Sequence, residues 1–159
     1  MDQTVRIRTI RPHESQKMRG VFEQALITDF GYFSKDRVDS VLRQNSLLRL
    51  IRSSLDPRRI LLGAFVQRQL IGYCLAAIEA DRSGFVFWLF VAPAYRGQHI
   101  GQSLLEDTET RLRRKAVTAI RLVTHNQQAF YANHGYQLGD TMQLTGETTS
   151  VYLMQKELA

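Results

Sequence analysis

Residues 91–105 read Val91-Ala92-Pro93-Ala94-Tyr95-Arg96-Gly97-Gln98-His99-Ile100-Gly101-Gln102-Ser103-Leu104-Leu105, an apolar strand end followed by a loop and an amphipathic helix. The first N–H groups of a helix lack partners within it, and the helix dipole adds positive charge at the same end. Phosphate groups bind at such ends. Arg96 adds a cation, while Gly97 and Gly101 keep the backbone accessible. The stretch predicts an anion site, although an ordinary turn with an exposed arginine fits the spacing as well.

Two other phosphate-binding loops are not indicated by this stretch. A Walker loop ends in lysine followed by serine or threonine, and that ending is absent, so ATP with magnesium is not predicted. The three glycines of a dinucleotide-binding fingerprint are also absent. No metal site is predicted either.

Hydrophobic periodicity outside this stretch predicts an α/β fold with a mixed, mostly antiparallel central sheet flanked by helices, in the order β-α-α-β-β-β-α-β-α-β-β. The first helix begins near Pro12, and the second carries an inward face from Val38 to Leu55, with Leu48 among its inward residues. The remaining predicted elements are strands Val5–Ile10, Ile60–Val66, Leu70–Glu79, Phe85–Val91, Ala119–Thr124, Tyr136–Leu138 and Val151–Glu157, and helices Gly101–Val117 and Gln127–Asn133.

Composition limits the class of protein. The chain has 159 residues, which suits one domain over residues 1–159. A single cysteine excludes an intrachain disulfide framework, and no apolar run resembles a signal peptide or spans a bilayer, so we expect a cytoplasmic protein without membrane contact. The net charge of +6 favours an anionic partner, either nucleic acid or a polyphosphate cofactor, although many small basic proteins bind neither. No nucleic-acid motif is found, so nucleic acid is disfavoured.

The loop closely resembles the pyrophosphate-binding motif of the GNAT superfamily of N-acetyltransferases. That motif is Arg or Gln, two residues, Gly, one residue, then Gly or Ala; Arg96 takes its first place and Gly101 its last, whereas His99 replaces the usual glycine. The resemblance implies acetyl-CoA as cosubstrate. The implied cofactor-binding residues are Phe90, Val91, Arg96, Gly97, Gln98, His99, Ile100, Gly101, Gln102 and Ser103, together with Asn126.

A second resemblance to the family lies between His125 and Tyr136, where Asn126, Phe130-Tyr131 and Gly135-Tyr136 match residues common in GNAT proteins. It implies that Asn126 contacts the pantetheine arm and that Tyr131 protonates the departing thiolate. The interval between Asn126 and Tyr131 is shorter than in many members. Without the resemblance, Tyr131 reads as a packed helix aromatic.

The remaining catalytic roles are less well defined by the sequence. The resemblance implies that a backbone N–H of the central strand, here that of Val91, donates a hydrogen bond to the carbonyl oxygen of the thioester. Strand Phe85–Val91 carries no ionisable side chain, so Glu79 and His125, at the ends of the neighbouring strands, are the nearest candidates for a base. Each also fits a surface or turn residue without a catalytic role. In this family, the segment that contains Asp29 and Tyr32 forms one side of the acceptor site.

Three hypotheses follow for the function. The first is an N-acetyltransferase that moves the acetyl group to a primary amine, either a small amine or a peptide or protein amino group, by direct attack in a ternary complex. The second is a GNAT-fold module that binds coenzyme A with little or no turnover. The third is a basic nucleic-acid-binding protein. We favour the first, with a slight preference for a weakly basic amine such as an α-amine. GNAT proteins are often dimers, and a homodimer is left open.

Overall fold

The computed structural model describes residues 4–143 and 150–158. Its strands are β1 (Val5–Thr9), β2 (Arg59–Val66), β3 (Gln69–Ile78), β4 (Gly84–Val91), β5 (Ala119–Thr124), β6 (Gln137–Gln143) and β7 (Ser150–Glu157). Its α-helices are α1 (Ser15–Asp29), α2 (Lys35–Gln44), α3 (Leu47–Leu55), α4 (Ile100–Arg114) and α5 (Gln128–Asn133). Short 3-10 helices cover Pro12–Glu14 and Pro93–Tyr95. None of the helices within the described ranges is long and apolar enough to cross a membrane.

The seven strands form one sheet in the order β1-β2-β3-β4-β5-β7-β6. Neighbouring strands run antiparallel, except that β4 and β5 are parallel. The predicted mixed, mostly antiparallel sheet with flanking helices is confirmed.

The sheet opens between β4 and β5. The two strands pair only from Gly84 to Val86 on β4, opposite Ile120 to Leu122 on β5, although β4 continues to Val91. An irregularity in the β3–β4 register follows Val86 on β4, where Phe87 is the extra residue. A bulge of this kind bends its strand and increases the local twist. The carboxyl ends of β4 and β5 therefore diverge, and within the described ranges no strand pairs with the β5 side of β4 beyond Val86.

Two hydrophobic cores cover the two faces of the sheet. On one face, α4 buries Ile100, Leu104, Leu105, Thr108 and Leu112, the stripe that its helical spacing predicts. The core on the other face lies beneath α1, α2 and α3 and includes Phe22 and Leu50. The loop that follows β4 consequently enters α4 at the mouth of the opening.

The prediction of a single second helix that continues to Leu55 is wrong, because the structure contains two helices in this segment, α2 and α3. The α2 helix ends at Gln44, and the Asn45 side-chain amide donates to the Val41 carbonyl. A new helix then starts after Ser46, so the helical phase is reset. Leu48 and Leu55, predicted to face inward, are 59 % and 69 % exposed. The final strands also differ, since β6 runs from Gln137 to Gln143 rather than ending at Leu138.

Candidate active site

A groove of ≈ 1230 Å³ passes through the opening between β4 and β5. Its walls are the diverging strand ends, the loop before α4, helix α5 and the segment between α1 and α2. Because the groove reaches both faces of the sheet, it is able to admit one molecule from each side.

The backbone of Val91 presents a hydrogen-bond donor to this groove. The Ala92 N–H donates to the Ile71 carbonyl of β3 at 2.8 Å, so Ala92 faces β3. Neighbouring residues of a strand direct their N–H and C=O groups to opposite sides. The Val91 carbonyl accordingly points away from β3, where it accepts a hydrogen bond of 2.9 Å from Nε of Arg96. The Val91 N–H points the same way, into the gap left by the divergence of β5.

The loop before α4 contains two residues in the left-handed region of backbone space. Gly97 has φ +74°, which glycine adopts at little cost. His99 has φ +59° and ψ +14°, and it precedes the first residue of α4. A side chain in this region carries backbone strain of order 1 kcal/mol. His99, which stands where the resembled motif usually has glycine, therefore adopts a backbone conformation that glycine tolerates best.

Gly101 lies in the first turn of α4 and lines the groove. A Cβ atom at this position would lie 3.7 Å from Phe130 Cζ and 3.7 Å from Val91 Cγ2, both ordinary contacts. The protein's own packing therefore does not demand glycine here. What the missing side chain provides is open space at the groove wall, next to the N-terminal N–H groups of α4.

Arg96 is held by the helix on the opposite wall of the groove. One guanidinium nitrogen, Nη2, donates to both carboxylate oxygens of Asp29 at 2.9 and 2.7 Å, in addition to the Nε bond to Val91. The predicted cation at the loop is present, but part of its charge is balanced by Asp29, the last residue of α1. Sequence reasoning missed this ion pair, since no local pattern links two residues that lie 67 positions apart.

Tyr131 lies on α5 at the groove and is 8 % exposed. Its ring packs edge-on against Phe130 and Tyr136, with centroid distances of 5.1 and 5.6 Å. Burial, together with the nearby Cys74 thiol, raises the pKa of the Tyr131 hydroxyl well above its usual value. This hydroxyl therefore remains protonated throughout the neutral pH range.

The two candidate bases lie in different places. His125 lines the groove, where its ring lies 5.1 Å from that of Tyr32 and 5.7 Å from that of Phe33. Glu79 is a turn residue whose N–H donates to the Ser83 carbonyl, next to the start of β4. With about 3.3 Å of rise per strand residue, that position is about 20 Å from Val91. The structure does not bring Glu79 to the groove.

All but two of the predicted cofactor-binding residues line the groove. Phe90, Val91, Arg96, Gly97, His99, Ile100, Gly101, Gln102 and Asn126 all line it. Gln98 and Ser103 are exposed and lie outside its lining. The Ser103 hydroxyl instead donates to the His99 carbonyl at 3.1 Å, which steadies the start of α4.

Comparison with known proteins agrees with this geometry. Residues 57–138 match the family model of the acetyltransferase (GNAT) domain. A spermidine N(1)-acetyltransferase of Thermoplasma acidophilum is 28 % identical over 120 residues, which are 70 % of this chain and 74 % of that protein. Mouse N-alpha-acetyltransferase 80 is 36 % identical over 66 residues, which are 42 % of this chain and 21 % of that protein.

A solved structure shares the fold along nearly the whole chain. It is the PaiA N-acetyltransferase of Thermoplasma acidophilum in complex with coenzyme A, with a TM-score of 0.82 and 23 % identity, and the alignment covers 97 % of this chain and 99 % of that one. This structure therefore shares the fold of the present chain. This chain belongs to the GNAT acetyltransferase family, whose model matches more than half of it.

Proposed function

We propose that this protein transfers an acetyl group from acetyl-CoA to a primary amine by direct attack within a ternary complex. The observation that carries the proposal is the groove through the diverging strands, with a helix N-terminus at its mouth and a buried tyrosine inside it. The donor enters from the α4 side, and the amine approaches from the side of α1 and α2.

Acetyl-CoA is the cosubstrate in this proposal. Its pyrophosphate lies against the N–H groups of the Arg96–Gly101 loop and the first turn of α4, where partial positive charge favours an anion. The pantetheine arm then runs into the gap beside Val91, near Asn126, which is exposed at the edge of the groove.

In the proposed reaction, the amine nitrogen attacks the thioester carbonyl carbon, the new C–N bond forms and the C–S bond breaks. The Val91 N–H stabilises the negative charge that develops on the carbonyl oxygen. Tyr131 protonates the leaving thiolate, and its raised pKa keeps the proton on the hydroxyl until that step. His125, or a water molecule beside it, takes the proton that the amine loses, and solvent restores the proton of Tyr131.

An α-amine is the preferred acceptor within this proposal. With a pKa near 8, about 10 % of an α-amine is neutral at pH 7, compared with roughly 0.1 % of a lysine side chain. Among the described residues that line the groove, Asp29 supplies the one carboxylate, and it is paired with Arg96. A weakly basic amine requires less help from the enzyme to lose its proton.

Thermal stability with different ligands tests the cofactor assignment. Acetyl-CoA should raise the Tm measured by differential scanning fluorimetry, and pantetheine at the same concentration should raise it less because pantetheine lacks the pyrophosphate. Equal shifts would contradict the assignment of the loop.

Gly101→Val should weaken acetyl-CoA binding by about 10- to 100-fold, because the valine side chain obstructs the hydrogen bonds between the N–H groups of the loop and the charged pyrophosphate. Gly20→Val, on the far surface of α1, is the matched control and should bind normally.

The role of the His99 ring is tested by His99→Gly. We expect the Kd for acetyl-CoA in calorimetry to change by no more than about tenfold, or about 1.4 kcal/mol, because backbone N–H groups make most phosphate contacts in such a loop. Relief of the left-handed strain should leave the unliganded protein at least as stable as the wild type. A loss of affinity of a hundredfold or more would identify the imidazole as a principal ligand.

A broad amine screen that follows free thiol tests the proposed function itself. Acetyl-CoA-dependent thiol release with an amine, and the acetylated amine in mass spectrometry, support it. Tight binding of acetyl-CoA without transfer to any amine would instead support the alternative of a coenzyme A-binding module.

A further inference from the structure

Five rings pack together on the α1–α2 side of the groove, and all five line it. Phe30 and Phe33 lie 5.0 Å apart by centroid distance, and Phe30 meets Trp88 edge-on at 5.5 Å. The Tyr32 ring lies 5.1 Å from that of Phe33 and 5.1 Å from that of His125. These centroid distances are those of rings in direct contact. Phe30, Tyr32, Phe33, Trp88 and His125 therefore form one continuous ring cluster.

The ring cluster stands at the gap between β4 and β5. Trp88 lies three residues before Val91 on β4, about 10 Å along the strand, and His125 directly follows the last residue of β5. The other three rings come from the segment between α1 and α2. An amine that approaches Val91 from the α1–α2 side therefore passes the ring cluster, and the atoms attached to its nitrogen lie against the rings.

The protein itself covers these rings only in part. Tyr32 is 41 % exposed, and Phe30, Phe33 and Trp88 are half-buried although each is large and apolar. Exposed apolar surface that continues across several segments of a groove is typical of a binding site. Its removal from water by a ligand is favourable. An apolar substituent on the acceptor is the group that gains most from contact with the ring cluster.

Charged side chains beside the ring cluster already have contacts of their own. Both carboxylate oxygens of Asp29 accept from Arg96 at 2.7 and 2.9 Å, and the Arg37 guanidinium lies 5.6 Å from the centroid of the Phe33 ring. Arg49 belongs to α3, which packs against β2, and β3 separates β2 from β4. The ring cluster thus meets an acceptor through its apolar surface.

We propose that the acceptor is a primary amine whose nitrogen is attached to an apolar body, aliphatic or aromatic, that the ring cluster binds. This inference rests on the proposed N-acetyltransferase function and names the substrate class of the same groove. The body packs against the rings while the nitrogen reaches the thioester carbon beside Val91. Amines with a polar or cationic chain next to the nitrogen are poor acceptors, since burial of a polar group without a hydrogen-bond partner is unfavourable.

Amino-acid amides test the proposal, because they share one α-amine and differ in the side chain. Thiol release is measured at saturating acetyl-CoA. Leucinamide is compared with asparaginamide, which has nearly the same shape, and with argininamide, whose side chain carries a cation. The kcat/KM for leucinamide should be about 10- to 100-fold above both, the range for burial of a leucine side chain. Argininamide is included because aromatic rings also attract cations.

Variants of the ring cluster decide whether it causes that preference. Tyr32→Ser/Phe33→Ser removes two rings and should lower the leucinamide-to-asparaginamide ratio of kcat/KM by about tenfold. Tyr32→Phe keeps both rings and should keep the ratio. The matched control is Leu47→Ser/Leu48→Ser, which replaces two exposed leucines of α3 outside the groove lining. The acetyl-CoA Tm shift should stay the same in each variant. If the double serine variant of the cluster does not fold, Tyr32→Ser alone serves, because Tyr32 is exposed.

Two kinds of result would overturn the inference while leaving the proposed acetyl transfer standing. The first is equal kcat/KM for leucinamide and asparaginamide, argininamide as the best of the three, or thiol release only with polar or cationic amines of the broad screen. The second is a leucinamide preference that persists without the two rings, which would show that the ring cluster does not cause it. Absence of thiol release with every amine, despite a normal Tm shift with acetyl-CoA, would reject the proposed function together with the inference.

Discussion

Tyr131→Phe should lower kcat by about 10²- to 10⁴-fold, the usual contribution of a positioned acid. The substitution removes only the hydroxyl, and the ring contacts with Phe130 and Tyr136 remain. Acetyl-CoA affinity and Tm should consequently stay close to the wild-type values. Steady-state kinetics on the best acceptor, combined with calorimetric titration of acetyl-CoA, measure the two effects separately.

The control for this substitution is Tyr152→Phe, which removes a hydroxyl from β7 outside the groove lining and should leave kcat unchanged. The pH profile adds a second test. Because burial raises the pKa of Tyr131 above its usual value near 10, the acid form persists as pH rises, and kcat should not fall on the alkaline side below about pH 10. A Tyr131→Phe enzyme with wild-type kcat would remove the acid assignment.

His125→Ala tests the other proton transfer. If His125 takes the amine proton, kcat/KM should fall and the acidic limb of its pH profile should shift or disappear, since a histidine titrates in that range. Glu79→Gln is the comparison, because Glu79 lies in the turn before β4, away from the groove, and should leave the profile unchanged. An acidic limb that is identical in His125→Ala would leave bulk water as the proton acceptor.

Glu109→Ala should produce the largest loss of stability, about 3 kcal/mol or more. The Glu109 side chain is 3 % exposed, and it accepts hydrogen bonds from Tyr136 Oη at 3.0 Å and Lys156 Nζ at 2.8 Å. Its removal leaves a buried hydroxyl and a partly buried ammonium without their partner. For a chain of this size, the Tm should fall by roughly 6 to 12 °C.

Thermal and urea unfolding of Glu109→Ala and Glu106→Ala measure this effect. Glu106 lies on the same helix, is exposed and hydrogen-bonds to the Gln102 amide at 2.9 Å. Its replacement by alanine should change the unfolding free energy by less than about 0.5 kcal/mol. Similar losses in the two variants would show that the buried contacts of Glu109 contribute no net stability.

Much of the fold is predictable because the responsible signals are local. Alternating and helical periodicities locate the seven strands and α4, whose buried stripe from Ile100 to Leu112 agrees with its spacing. The break between α2 and α3 was missed, although asparagine followed by serine at Asn45-Ser46 is a recognisable end-and-start signal. The longer apolar pattern across both helices concealed it.

The candidate site was predictable only where its residues are contiguous. The loop from Arg96 to Gly101 forms a continuous unit at the start of α4, so the sequence is sufficient to locate it. Glu79 follows the strand before β4 in the sequence, but antiparallel pairing places that strand end at the start of β4, away from Val91. Position along the chain did not show which end of the strand faces the groove.

The sequence by itself determined the seven strands and α4, the loop that enters α4 and the family resemblance, because each depends on residues within a few turns of one another. Only the tertiary structure decided the opening between β4 and β5 and the Arg96–Asp29 pair. These features join segments separated by tens of residues, and their relative positions depend on sheet twist and helix packing summed over the whole chain.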